Sequence, residues 1–260
     1  MDCERLMVET NQVESFLSDN CPPMSIYETL YAFRDSFGKF MGTEGTRPWS
    51  QGFPLTTPLE KFDGPSLPPS VDVTWEDRFY PKAWGHPLLR EAITNYYNTY
   101  YDCSITPENV MIFAGGRPGL VAILTLLQQD IEIQIASTEY TPYYDMLRFA
   151  KNKYFVVESG LSNQFYPKVS DYLEHGEAIR KLVLLSNPCN PSGITRTDDA
   201  LNDLVQQASY GENGLLIDEA YELFHSPPVS AARFIDNIDD SNLFIAGAAT
   251  KGLQSPGIRI

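Results

Sequence analysis

From about residue 110 onward, short apolar runs alternate with stretches in which apolar residues recur at helical spacing. Val110 to Phe113, Ile131 to Ile135, Tyr154 to Val157, Leu182 to Leu185, Leu215 to Ile217 and Leu243 to Ile245 read as strands. Leu120 to Gln128, Pro142 to Lys151, Ser170 to Arg180 and Thr197 to Ser209 read as the helices between them. Strands joined by helix-length connections predict a doubly wound α/β fold, a mostly parallel sheet covered on both faces. Ligands of such sheets sit beyond the carboxyl ends of the strands, so the residues that follow each run carry the functional information.

Upstream the pattern is less regular. Val13 to Leu17 and Met24 to Phe40 suit helices, and Leu88 to Tyr97 has clear helical spacing. The segments 47–54 and 63–69 are rich in proline and glycine, which forbid a continued helix and predict turns and extended chain. The expected division is an N-terminal arm with part of a smaller, substrate-side domain in residues 1–80, followed by the large domain in 81–260. The text shows no internal repeat or low-complexity tract.

Composition narrows the function classes. With 260 residues, 43% of them hydrophobic, the chain can bury a full core. A formal charge of -15 disfavours nucleic acid and anionic membrane as partners, and an anionic ligand would need a local cationic pocket. No apolar run approaches the ~20 residues that span a bilayer. The acidic N-terminus lacks the apolar core of a secretion signal. Cys3, Cys21, Cys103 and Cys189 are scattered, as are His86, His175 and His225. A cytoplasmic protein without a metal centre is the expectation.

The strand ends are chemically distinctive. After the first run comes Ala114-Gly-Gly-Arg-Pro-Gly-Leu120, whose glycines let backbone N–H groups approach an anion at a helix N-terminus. Such turns are also often no more than tight turns. After the second run, Tyr140 can stack on a planar ligand or pack as a loop aromatic. The doubled Asn-Pro of Ser186-Asn-Pro-Cys-Asn-Pro-Ser-Gly193 leaves two asparagine amides free to meet a ligand. Asp218 directly follows a buried run, a costly place for a carboxylate unless a cation or donor meets it, though it also suits a helix cap. Lys251 follows the last run. Read alone it is a solvated strand-end charge; partly desolvated, it is an amine nucleophile toward aldehydes.

Taken in order, Asn-Pro-x-Asn-Pro-Ser-Gly, Asp-x-x-Tyr, and Lys followed by Pro-Gly-x-Arg resemble the pyridoxal-phosphate-dependent aminotransferases of fold type I, class I/II. The likeness covers about Tyr80 to Ile260. It implies pyridoxal 5'-phosphate as cofactor, an amino acid and a 2-oxo acid as substrates, and amino-group transfer between them. By the same resemblance Lys251 carries the cofactor aldehyde as an internal aldimine and moves the proton. Asp218 pairs with the pyridinium nitrogen, and Asn190 and Tyr221 bond the phenolate oxygen. Asn190 also lies on the substrate side, and Tyr140 stacks on the ring. Gly116, Arg117 and Arg259 hold the phosphate. Tyr80, within Phe79-Tyr-Pro-Lys-Ala-Trp-Gly85, would reach the neighbouring subunit's cofactor, so a homodimer is implied. Gly52 of Gln51-Gly-Phe-Pro54 is similar to a segment near the substrate.

The chain departs from the family pattern in places. Ala248-Ala-Thr-Lys251 replaces the hydroxyl-rich Ser-x-Ser-Lys, and Arg117-Pro118 occupies the phosphate turn, where the arginine can supply the missing contact or meet substrate. The sequence stops at Ile260, where the family continues through a sheet strand and a C-terminal small domain with its carboxylate-binding arginine. A fragment of a longer enzyme is therefore expected. The same motifs suit a lyase, cyclase or oxidase on this cofactor, and a truncated, non-catalytic chain is the reading from another class.

Overall fold

The computed structural model describes residues 25–47, 70 and 72–259, which fall in two compact units divided after Pro48. The expected helix at Val13 to Leu17, the segment 63–69, most of 47–54 and the candidate Gly52 lie outside the described residues. In the first unit, helix α1 (Ser25–Phe37) ends at Gly38, whose φ of 69° suits glycine.

The second unit is a doubly wound α/β domain. Strands β1 (Glu132–Ala136), β2 (Lys153–Val157), β3 (Lys181–Ser186), β4 (Asn213–Asp218) and β5 (Leu243–Ala246) form one parallel sheet in the order β2-β1-β3-β4-β5. Helices α2 (Pro87–Tyr101), α3 (Gly116–Leu126), α4 (Pro142–Ala150), α5 (Val169–Leu173) and α6 (Asp198–Ala208) accompany it. A last turn, α7 (Ala249–Gly252), follows β5. The sequence order reverses between β1 and β3, the place where doubly wound sheets open a crevice.

Alternation along the strands explains the two-sided core. Leu182 and Leu184 of β3 join Ile133, Ile135 and Leu216 against Leu120 and Leu124 of α3 and Tyr143, Met146 and Leu147 of α4. Val183 and Leu185 turn the other way, with Leu215 and Ile217, onto Tyr172 of α5 and Leu201, Leu204 and Val205 of α6. Every residue of β3 is buried, as expected for a strand covered on both faces.

Two expectations need correction. Val110 to Phe113 is not a strand. A strand requires a ladder partner, and among the described residues none lies beside this segment. Its polar backbone is met otherwise: Ile112 N–H donates to Trp84 O at 3.0 Å, and the buried Arg90 donates from Nε to Val110 O at 2.8 Å. The helix read from Ser170 to Arg180 is confined to Val169–Leu173. Gly176, at φ 90°, turns the chain away, and a Cβ there would collide with the Glu132 carboxylate. Helical spacing does not register such a contact.

Candidate active site

The register of the sheet brings the distinctive strand ends to one level. Ser186 of β3 pairs with Asp218 of β4, which pairs with Ala246 of β5. Just beyond this row lie the loops carrying Tyr140, Asn190 and Tyr221, and the short helix α7 carrying Lys251. The start of α3 belongs to the same edge: a Cβ on Gly116 would lie 3.8 Å from the Ala248 side chain. Gly115, buried at φ 93°, precedes it, and a Cβ there would collide with the Arg259 guanidinium. Glycine is therefore required both for the turn and for the approach of that arginine. Arg259 itself is exposed and donates from Nη1 to Pro256 O at 3.0 Å.

Lys251 is half-buried in α7, with Nζ 5.5 Å from the centroid of the Tyr221 ring. Burial lowers its pKa, and the Arg117 charge lowers it further. Both effects favour the neutral, nucleophilic amine. Asp218 accepts the Tyr143 hydroxyl proton at 2.8 Å and the Ala220 N–H at 3.0 Å. Burial raises its pKa, against those two donors. A cationic partner would reverse the balance. Burial also raises the Tyr221 phenol, helped by the charge of Asp218.

Of the two asparagines expected to be free, only one is. Asn187 is buried and spans the Arg196 backbone, donating from Nδ2 to its carbonyl at 3.1 Å and accepting its N–H at 2.7 Å. Asn190 is half-buried, tethered through its backbone N–H to Ser186 Oγ at 3.0 Å. Tyr140 is half-buried and meets Tyr143 edge-on, ring centroids 5.2 Å apart. Arg117 does not project freely from the glycine turn: its Nε and Nη2 donate to the Tyr140 hydroxyl at 3.0 and 2.6 Å. Tyr80 lies apart from this group, fully exposed on the chain leading to α2.

Sequence reasoning passed over several supports. Tyr143 orients Asp218, and its signal was the aromatic at helical spacing inside α4. Glu139, buried between β1 and β3, accepts from Ser186 N–H at 3.1 Å and Ser186 Oγ at 2.6 Å. Burial lifts its pKa to about 7. Glu222 accepts the hydroxyls of Tyr96 and Tyr101. Nothing local marks these carboxylates as buried, because their partners lie far off in sequence.

A half-buried amine, a carboxylate, a helix N-terminus and a guanidinium are thus gathered at the carboxyl ends of a doubly wound α/β sheet. The chain belongs to the class I and II aminotransferase family, whose model matches residues 74–260. It is similar to the aspartate aminotransferase of Pyrococcus horikoshii, 27% identical over 198 residues that make up 74% of this chain and 48% of that protein. The aspartate/prephenate aminotransferase of Thermus thermophilus is 27% identical over 186 residues, 70% of this chain and 47% of the relative. Among solved structures, the Thermus thermophilus aspartate aminotransferase with maleate superposes with a TM-score of 0.61 at 24% identity, over 70% of this chain and 47% of that one. The chain thus spans about half the length of the curated relatives it matches. Among the described residues no helix is long and apolar enough to cross a membrane, and no group of three His, Cys, Asp or Glu side chains is placed to hold a metal ion.

Proposed function

We propose that this chain carries the cofactor-binding half of a pyridoxal-phosphate-dependent aminotransferase that moves an amino group between an amino acid and a 2-oxo acid. The observation that carries the reading is Lys251, half-buried with a lowered pKa at the same sheet edge as Asp218. The donor set fits the cofactor. The start of α3 and Arg259, brought together over Gly115, suit a phosphate dianion. When bound, pyridoxal 5'-phosphate supplies an aldehyde and an electron-accepting ring.

Around that group each residue has a task. Lys251 Nζ would hold the cofactor through its aldehyde, with release of water, and would take up and return the proton of the substrate carbon. Asp218 would gain a cationic partner in the cofactor's ring nitrogen. Asn190 and Tyr221 would donate to the cofactor's ring oxygen, and Tyr140 would stack on the ring. Gly116 and Arg117 contribute backbone N–H groups at the phosphate. Residues 81–260 form the large domain, and 1–80 the arm and substrate-side segment with Gly52. The exposed Tyr80 serves a neighbouring subunit, which makes the enzyme a homodimer, and a cytoplasmic location is proposed with it.

Borohydride reduction of the cofactor-loaded protein followed by peptide mapping is expected to place the pyridoxyl group on Lys251; a label elsewhere overturns the assignment. Aspartate, after the relatives' names, is the first amino donor to supply with a 2-oxo acid acceptor. Formation of the donor's 2-oxo acid is expected. Release of ammonia instead would make the enzyme a lyase or an oxidase.

A further inference from the structure

The side chain of Arg117 has no task in the reading above, yet it is among the most firmly held cations of the site. Two guanidinium nitrogens converge on one phenolic oxygen, Tyr140 Oη. The guanidinium carbon lies 5.7 Å from the centroid of the same ring, and no carboxylate among the described residues pairs with it. The line continues inward. Tyr140 meets Tyr143 at an interplanar angle of 85°, and Tyr143 holds Asp218. One sequence of contacts therefore joins the first turn of α3 to the end of β4.

A tyrosine in a loop before a helix turns about two side-chain bonds; its hydroxyl lies on the axis of the second and swings through the widest arc with the first. Anchoring that point fixes the direction of the ring axis, and the edge contact with Tyr143 sets the plane about that axis. A planar fork that donates twice to one oxygen has little freedom of its own, whereas an ammonium on a flexible stem makes a single bond from many positions.

We propose that Arg117 is a positioning residue: by clamping the Tyr140 hydroxyl it holds the ring in the place from which it covers the cofactor, with Tyr143 setting its tilt. It acts through Tyr140 and not by its own side-chain contact with cofactor or substrate. The inference rests on the functional reading above and deepens it. The clamp also keeps the guanidinium charge at a constant place relative to Lys251, whose proton affinity it depresses after burial has done so first.

A double-mutant cycle tests the clamp, read as the dissociation constant of pyridoxal phosphate and as the induced circular dichroism of the bound cofactor. Arg117→Gln and Tyr140→Phe are each expected to weaken binding by about tenfold, the scale of one charge-assisted hydrogen bond. Both should alter the dichroism alike, and the double variant should be no weaker than either single one. Arg117→Lys is expected not to restore the wild-type values. Additive losses, or full rescue by lysine, would overturn the clamp, because the charge would then act on the cofactor directly. Should Arg117→Gln fail to fold, Tyr140→Phe decides alone, and a wild-type dissociation constant there would overturn the clamp. Wild-type protein that takes up no cofactor and leaves no label on Lys251 would instead overturn the functional reading, and the clamp with it.

Discussion

The segment Asp218 to Glu222 presents two opposite regions on one short stretch of chain. Asp218 and Tyr221 are partly open at the site edge. Glu219 and Glu222 are buried, 1% and 8% exposed. Glu219 accepts the Ala231 N–H at 2.7 Å, and Glu222 receives two tyrosine hydroxyls from α2. On the open side each Asp218 oxygen accepts one hydrogen bond, from Tyr143 Oη and Ala220 N–H, and keeps a face towards the site edge. On the buried side Glu222 is met by two tyrosines, while Glu219 Oε2 lies buried without a hydrogen-bond partner among the described residues. A site is thus made exact by residues that never touch its ligand. Substitutions on the two sides should separate activity from stability.

The largest effect is expected on the open side. Lys251→Ala should lower turnover of the cofactor-loaded enzyme by at least about 10²–10⁴-fold, the contribution of a positioned acid–base group, and abolish the borohydride label. Its Tm should stay near the wild-type value, because α7 is a half-open turn. Asp218→Asn keeps the shape but removes the charge proposed to face the cofactor's ring nitrogen. A loss of about 10²-fold in kcat is expected, with cofactor still bound and visible by absorbance. If either variant instead lost stability and kept activity, the division of labour would be reversed.

Next comes the buried side. Glu222→Ala would leave the Tyr96 and Tyr101 hydroxyls without their acceptor, at a cost of about 2–4 kcal/mol in urea unfolding. Tyr101→Phe should cost about 1–2 kcal/mol, since it removes one donor from a carboxylate that keeps the other. Neither should change the KM for substrate as much as it lowers the unfolding midpoint.

This division also marks what the sequence could disclose. Strand ends are legible because an apolar run that breaks into Asp218-Glu-Ala-Tyr221 or Ala248-Ala-Thr-Lys251 announces where the chain leaves the core. The two-sided sheet was legible for the same reason, through β3 and its neighbours. Val110 to Phe113 misled because an apolar run specifies neither a ladder partner nor full burial: none of the four is buried, and Met111 is exposed. Asn187 misled because its two bonds go to the Arg196 backbone, and such a bridge leaves no mark in composition. Glu222, Tyr143 and the Arg117 clamp on Tyr140 depend on pairings across the fold, which periodicity does not encode.

The smallest effect is a pH dependence, and it sharpens the comparison at a single residue. Burial lifts the Glu219 carboxyl from its ordinary 4.5 to about 8, against donation from Ser230 and Ala231. Between those values the folded protein keeps a proton that the unfolded chain has released. Folding then binds protons, so the contribution of Glu219 to stability falls as pH rises from 4.5 to about 8 and is constant above that. Glu219→Gln keeps an acceptor for Ala231 N–H and never ionises. The difference in Tm, variant minus wild type, should therefore grow with pH across that interval and then level off. Asp218→Asn should show a smaller slope, because Asp218 is partly open. A Glu219→Gln difference that is flat with pH would mean that the buried side carries its charge unprotonated, and that its hydrogen bonds, not a retained proton, make the burial tolerable.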